Sequence, residues 1–439
     1  MKKYSFIFLV LGLWSCDGFL DEKPNKTIDS PTSFESLQAI LDNSGTMNLH
    51  PALSLIVGGE YFSDDAGVMA LPPWQQNLYL WKSQPFQIDD QVFDWRSMYN
   101  QIQHANVVLE EIEKLPSSDP RWNTIRGSAL FFRAHAYFNI YSLFLDGPNL
   151  ESQGLDAKVP IRKGTAITLS SEFAGKEEII DLIKSDLNEA ESLLPSQAQY
   201  PFKPTKVAAQ ALKARVFLAW ENYEEALLEA EKVLGSYSEL LDYNTLDPQV
   251  TYPFPLFNEE VIWQSRLGGY SFMYSQTAFQ VDPELYELYD SLDLRKELFF
   301  VTRTNGFLNF RGSYDGSITL FSGITTAEIY LTLAESLVRT GDWMTGVDYL
   351  NQFLSNRYPS DISPLEFSSP EEALTRILEE RQKELAFRGI RWLDLRRLNK
   401  DPDFQVTLTR NFEGQEYRLE PDGAAYLLPI PPRELSFAN

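Results

Sequence analysis

Two stretches 120 residues apart repeat one spacing of small and aromatic side chains, and this recurrence constrains the fold more than any other feature of the chain. In "ALKARVFLAWENYEEALLEAEKVL" (211–234), Ala214 is followed by Tyr223 at +9 and Ala226 at +12. In "YLTLAESLVRTGDWMTGVDYLNQFL" (330–354), Ala334 is followed by Trp343 at +9 and Gly346 at +12. Asn222 and Asp342 precede the aromatic in each, where a turn residue belongs. Small residues on both arms of a helix-turn-helix let the helices approach closely, and the aromatic between them plugs the turn.

This is the logic of tetratricopeptide units. The match is partial: Phe353 stands where a small residue is usual, and Glu221 replaces the turn glycine that Gly341 supplies. Further helices extend the pattern. Met98, Ile102, Ala105, Leu109 and Ile112 recur at steps of four and three, the signature of an amphipathic helix. Pro116 to Pro120 breaks it, and "RGSALFFRAHAYFNIYSLF" resumes the spacing with Phe131, Ala134, Phe138 and Tyr141, so 97–145 is expected to form an antiparallel pair. With helices near 173–194 and 371–388, the expectation is a mainly α fold: a tetratricopeptide-like helix-pair superhelix of about four pairs.

Stretches of another composition separate these units, and function is expected there. Ser44 to Asp94 sets Tyr61, Phe62, Trp74, Tyr79, Trp81 and Phe86 among glycines and prolines. Leu241 to Gly323 carries Trp263, Tyr270, Phe272, Tyr274, Phe310 and Tyr314, punctuated by glycines. An indole or phenol offers a broad apolar face with a polar tip, which suits the C–H face of a sugar ring. Trp74, Trp81, Tyr270, Tyr274 and Tyr314 are therefore the candidate ligand-binding residues, against the alternative that each packs its loop onto the helices.

Catalytic and metal signatures are missing from the sequence. His50, His104 and His135 are the whole histidine supply, and no two have metal-ligand spacing, so neither a metal site nor a cofactor is expected. The acidic doublets Asp64-Asp65, Asp89-Asp90 and Glu259-Glu260 do not mark one carboxyl as an acid and another as a base. "EERQKELAFRGIRWLDLRRL" (379–398) mixes charged and apolar residues on one face, as expected of buried arginine–carboxylate pairs that fix a packing geometry. With 38 basic against 62 acidic residues and a formal charge of −24, nucleic acid is an improbable partner.

The N-terminus decides the compartment. Lys2 and Lys3 precede a short apolar run from Tyr4 to Trp14, too short to span a bilayer, and the pattern is that of an export signal over 1–15. Leu13-Trp14-Ser15-Cys16 resembles the bacterial lipobox, in which the cysteine after the cut is lipidated. Cys16, the only cysteine, would then be the mature N-terminus and the membrane attachment, with 16–28 as a tether and 29–439 as one domain.

Six blocks in order, "CDGFLDEKP", "ALFFRAHAYFNIYSLF", "ALKARVFLAWENYEEALLEAEKVL", "AESLVRTGD", "ERQKELAFRGIRWLDLRR" and "YLLPIPPREL", resemble the SusD/RagB family across nearly the whole mature chain. Two departures stand out: Phe144-Leu145-Asp146-Gly147-Pro148 inserts two residues before the glycine, and Arg388 occupies the place before Gly389 where glutamate is usual. The resemblance implies a surface-exposed outer-membrane lipoprotein with four tetratricopeptide pairs cradling a loop-rich ligand-binding part. Its insertions would lie around 44–94 and 241–323. It also implies a SusC-type TonB-dependent transporter as partner, to which captured oligosaccharides are handed without cleavage. Peptides are the alternative ligand, with a secreted glycosidase or a tetratricopeptide adaptor as less favoured readings.

Overall fold

A computed structural model describes residues 32–147, 157–165 and 172–436. The export signal, Cys16, the tether and the Pro148 end of the loop after the second long helix lie outside these residues. The described part holds eight long scaffold helices: α1 Phe93–Ile112, α2 Pro120–Phe144, α3 Lys176–Leu193, α4 Lys206–Ala219, α5 Tyr223–Leu234, α6 Thr326–Thr340, α7 Trp343–Leu354 and α8 Pro370–Glu384. A shorter α9, Arg391–Leu398, follows. Each helix from α1 to α7 packs on the next in the chain, and α8 lies against α6 and α7. The pairs expected at 97–145, 211–234 and 330–354 are α1–α2, α4–α5 and α6–α7, with α3 and α8 packed beside them, and the fold is mainly α.

Local chemistry explains the boundaries. Asp119, Thr205, Asn222, Thr325, Asp342 and Ser369 each accept a hydrogen bond from a backbone N–H in the first turn of the helix they precede. α2 is buried nearly all round from Ile125 onward because α1 and α3 flank it. The predicted stripe of α1, Met98 to Ile112, is buried throughout.

The two recurring units are helix-turn-helix hairpins, α4–α5 and α6–α7. Ala214, Ala226 and Ala334 are fully buried, and a Cβ on Gly346 would come within 2.9 Å of the Ala334 carbonyl. At the turn Gly341 adopts φ 105, the left-handed cap that glycine takes readily. Glu221, in the matching place, is forced to φ 60. Phe353, the large residue at a small position, is buried with the Arg357 and Arg295 guanidinium groups 4.7 and 5.7 Å from its ring centre.

Between these helices the chain forms short helices and two-stranded sheets whose strands run two to five residues. None of the described helices is long and apolar enough to cross a membrane.

Candidate ligand-binding surface

The two aromatic insertions, separated by five scaffold helices in sequence, are brought edge to edge. Leu49–His50 runs parallel to Arg266–Leu267, and Tyr61–Phe62 pairs antiparallel with Gln280–Val281. Asp94, fully buried at the start of α1, ties them together. Its carboxylate accepts from the Ala52 and Leu53 N–H groups and from the Tyr270 hydroxyl. Burial raises the Asp94 pKa above the usual carboxylate range, and burial together with the Asp94 carboxylate pushes the Tyr270 phenol up, so the phenol stays a donor.

Around this anchor Trp74 meets Tyr270 edge-on at 5.4 Å and Phe86 at 6.0 Å. Phe272 continues the cluster from Tyr270 to Tyr61 and Phe279. Trp74 and Tyr270 are 7% and 9% exposed, as buried as Trp81 at 8%, and they weld the insertions into one body. Tyr274 differs: it is 45% exposed, and its hydroxyl lies over Gly269.

Trp81 forms a wall. Its backbone is left-handed at φ 51, its indole N–H donates to the Val57 carbonyl at 3.1 Å, and the Arg410 guanidinium sits 4.4 Å from its ring centre. Arg410 is itself held 3.8 Å from the Tyr79 ring and donates to the backbone carbonyls of Tyr79 and Ile56. With Leu78 and Pro85, Trp81 lines a cleft of about 240 Å³ whose far side is Ala424, Ala425, Leu427 and Leu428. The hairpin Leu408–Phe412/Gln415–Leu419 carries Arg410, and sequence reasoning missed both it and the 424–429 segment. The closing block "YLLPIPPREL" was the available signal, because its prolines and aliphatics read as a packed edge.

Tyr314 sits elsewhere. It is fully buried, donates to Glu260 at 2.8 Å, touches the Tyr243 hydroxyl and has the Arg388 guanidinium 4.3 Å from its ring centre. In this conformation it offers nothing to a surface ligand, and a polar network inside the insertion explains why a glycine-flanked tyrosine was drawn inward. The same network absorbs the second departure, since Arg388 donates to Thr325 Oγ1 at 2.9 Å.

The charged block 379–398 forms the buried pairs expected of it. Arg381 binds Asp394, Arg397 binds Glu335 and Asp394, and Arg357 donates to both Glu260 and Glu384. The acidic doublets have structural partners: Asp64 caps a short helix through Gly67 N–H, Asp65 accepts from Glu413 N–H, Asp90 accepts from Gln87 N–H, and Glu260 joins the network. His50 and His135 lie 5.7 Å apart in the core, with His135 4.8 Å from Trp263, and burial lowers the His135 pKa to about 3 and that of His50 well below its ordinary value. Both are neutral interior groups.

Comparison with known proteins agrees with this architecture. Residues 18–218 match the family model described as "Starch-binding associating with outer membrane", and residues 321–437 match that of the SusD family. The chain belongs to the SusD/RagB family. Among relatives, SusD-like protein P2 of Formosa agariphila is 24% identical, with 99% of this chain and 97% of that protein covered. SusD-like protein P38 of the same organism is 25% identical over 58% of this chain, and the match spans 52% of P38. A SusD superfamily protein of Bacteroides fragilis superposes with a TM-score of 0.72 at 21% identity, covering 92% of this chain and 98% of that one. A laminarin-binding SusD-like protein superposes at 0.62 with 19% identity, covering 92% and 97%. These likenesses establish a SusD-like fold for the chain.

Proposed function

We propose that this SusD/RagB member is a cell-surface binding protein that captures oligosaccharides and passes them, uncleaved, to a TonB-dependent outer-membrane transporter of the SusC type. The observation that carries the reading is a pair of features: the rigid aromatic body where the two insertions meet, with Tyr274 exposed on it, and an apolar cleft between Trp81 of the first insertion and the 424–429 segment. Such surfaces stack on the C–H faces of a pyranose ring. Support comes from the family and from the laminarin-binding neighbour. Cys16, acylated after removal of 1–15, would supply the anchor, with more than one chain needed for durable attachment. Residues 29–439 would act as one domain, with the insertions facing ligand. Modest affinity fits the role, since a ligand held too tightly would not be released.

The test is calorimetric titration of the chain from Asp17 onward against a polysaccharide panel that includes laminarin and starch glucans. A glycan recovered intact after binding, with affinity reduced at least fivefold by Trp81→Ala or Tyr274→Ala, is the expected result. Binding of peptides and no glycan would replace the substrate class, and recovery of shortened glycan would replace capture with hydrolysis.

A further inference from the structure

A second aromatic surface lies apart from the insertion site, on the connection between α3 and α4. Tyr200 and Phe202 stack with ring centres 5.4 Å apart and planes within 8° of parallel. Phe257, from the second insertion, joins them at 6.4 and 6.5 Å. Tyr200 is 42% exposed and Phe257 37%, so the trio opens to solvent rather than closing a core. Isolated exposed aromatics are ordinary, but three in contact form a patch that calls for an occupant.

The backbone holds this patch in place. Phe257 adopts φ 59, a left-handed conformation that is uphill for a residue with a Cβ and is retained where the surroundings impose it. Pro201 and Phe202 are pinned through their carbonyls, which accept from Gln264 N–H at 3.0 Å and from Asn48 Nδ2 at 2.8 Å. Lys203 is tied to Asp42 at 2.9 Å, and the Lys206 N–H closes the loop onto the Pro195 carbonyl at 2.8 Å. A platform fixed before a ligand arrives loses little entropy on binding.

The same loop borders a cleft of about 260 Å³ whose lining mixes polar side chains with apolar ones, Leu41 and Phe132 among them. Gln197, Gln199 and Lys203 line it from the loop, and Gln38, Asp42 and Thr124 line it from the opposite side. Gln199 belongs to both features, since its side-chain amide reaches the Tyr200 hydroxyl at 3.4 Å while the residue lines the cleft. The one cation and one anion of the cleft neutralise each other, and Gln38 donates to the same Asp42 carboxylate at 2.7 Å. What is left is amides, hydroxyls and apolar side chains without net charge beside parallel aromatic rings. An anionic ligand finds no unpaired cation there, whereas a neutral pyranose chain finds stacking faces and hydrogen-bonding partners together.

We propose that the 195–205 loop, Phe257 and the adjoining cleft form a second saccharide site, selective for neutral hexose chains and separate from the surface that carries Trp81 and Tyr274. It rests on the glycan-binding reading above. Two sites on one protein would let a long polysaccharide be held at both, with avidity that a short oligosaccharide cannot exploit.

The experiment uses the full-length protein in detergent micelles, titrated with laminarihexaose, maltoheptaose and the parent polysaccharides. Wild type is compared with Tyr200→Ala/Phe257→Ala, with Gln197→Ala/Gln199→Ala, and with Trp81→Ala/Tyr274→Ala. The glutamines are exposed, so that variant keeps the test valid if the aromatic one fails to fold. For the glucan that binds, the expected result is two oligosaccharides per wild-type chain and one per loop variant, with polysaccharide affinity down at least fivefold in both loop variants. One site per wild-type chain, with both loop variants within twofold of it, overturns the second site and leaves the first intact. Loop variants that lose transporter association but keep glycan binding overturn it too, because the patch is then a protein contact. If wild type binds neither these glucans nor any other polysaccharide of the panel, the glycan-capture reading fails and takes this inference with it.

Discussion

Two glutamates, each shut away from solvent, behave in opposite ways, and the contrast separates the paired-charge network around α8 from the first insertion. Glu384, at the end of α8, is buried among guanidinium groups: Arg357 donates to it at 2.9 and 3.0 Å, and Arg295 lies at 3.4 Å. Burial alone would raise its pKa, but Arg357 more than offsets that and holds it below the usual range. Glu60, in the first insertion, accepts one hydrogen bond, from the Phe387 N–H at 2.8 Å, and its Oε2 has no hydrogen-bond partner. Desolvation dominates there and pushes its carboxyl up to about 7. The network around α8 therefore buries charge in pairs, reaching into the second insertion through Glu260 and Arg295, whereas the first insertion buries a carboxyl that is half protonated near neutral pH.

The largest test breaks the scaffold side. Arg357→Leu leaves Glu260 and Glu384 buried without their shared cation, and such unpaired burial is expected to destabilise by about 3–5 kcal/mol. Urea denaturation at pH 7 should show a large fall in midpoint, or no folded protein at all. A loss below about 1 kcal/mol would mean that the remaining groups, Arg295 and Arg388, carry the network without Arg357.

The insertion side is tested by pH. Because the folded-state pKa of Glu60 is raised from 4.5 to about 7, the native state holds the proton that the unfolded chain releases. Its stabilising contribution is fully present below about pH 4.5 and is lost as pH rises through 7, a swing of roughly 3 kcal/mol at most. Glu60→Gln should flatten that fall between about pH 4.5 and 7 and leave the protein more stable than wild type at pH 8, as read by thermal melting across pH 4 to 8. An unchanged profile would place the titrating group elsewhere. The histidine pair acts with the opposite sign: with His135 lowered to about 3, its contribution is intact above about 6.5 and is lost as pH falls toward 3.

How much of this was legible follows the same division. The α4–α5 and α6–α7 hairpins were readable because close helix packing demands small residues at fixed offsets, and the stripe of α1 was readable because 3.6-residue periodicity survives wherever one face is buried. The paired charges of 379–398 were readable too, since a charged residue on an apolar face needs a partner. Which loop aromatics stay exposed was not readable, because composition in a glycine-rich loop does not tell which way a ring points. Trp74 and Tyr270 turned inward to weld the insertions, Tyr314 turned into the charge network, and Tyr274 turned out. The platform of Tyr200, Phe202 and Phe257 joins a helix connection to an insertion, and no local pattern links residues so far apart. Arg410 escaped for the same reason, because it reaches Tyr79 across more than 300 residues.

A third glutamate supplies the smallest effect and separates backbone from charge. Glu221 occupies the turn position that Gly341 fills in the other hairpin, at φ 60 against φ 105, and its carboxylate meets Lys400 at the surface. A left-handed residue with a Cβ is disfavoured by about 1 kcal/mol relative to glycine, whereas an exposed ion pair contributes about 0.5 kcal/mol or less. Glu221→Gly should therefore raise stability by about 0.5 kcal/mol, Lys400→Ala should change it by less than that, and Gly341→Ala should lower it by about 1 kcal/mol. If Glu221→Gly instead destabilises while Lys400→Ala does so equally, the ion pair outweighs the backbone at this turn. Glu221 would then join the paired charges of the scaffold, and strain at the turn would no longer set the two hairpins apart.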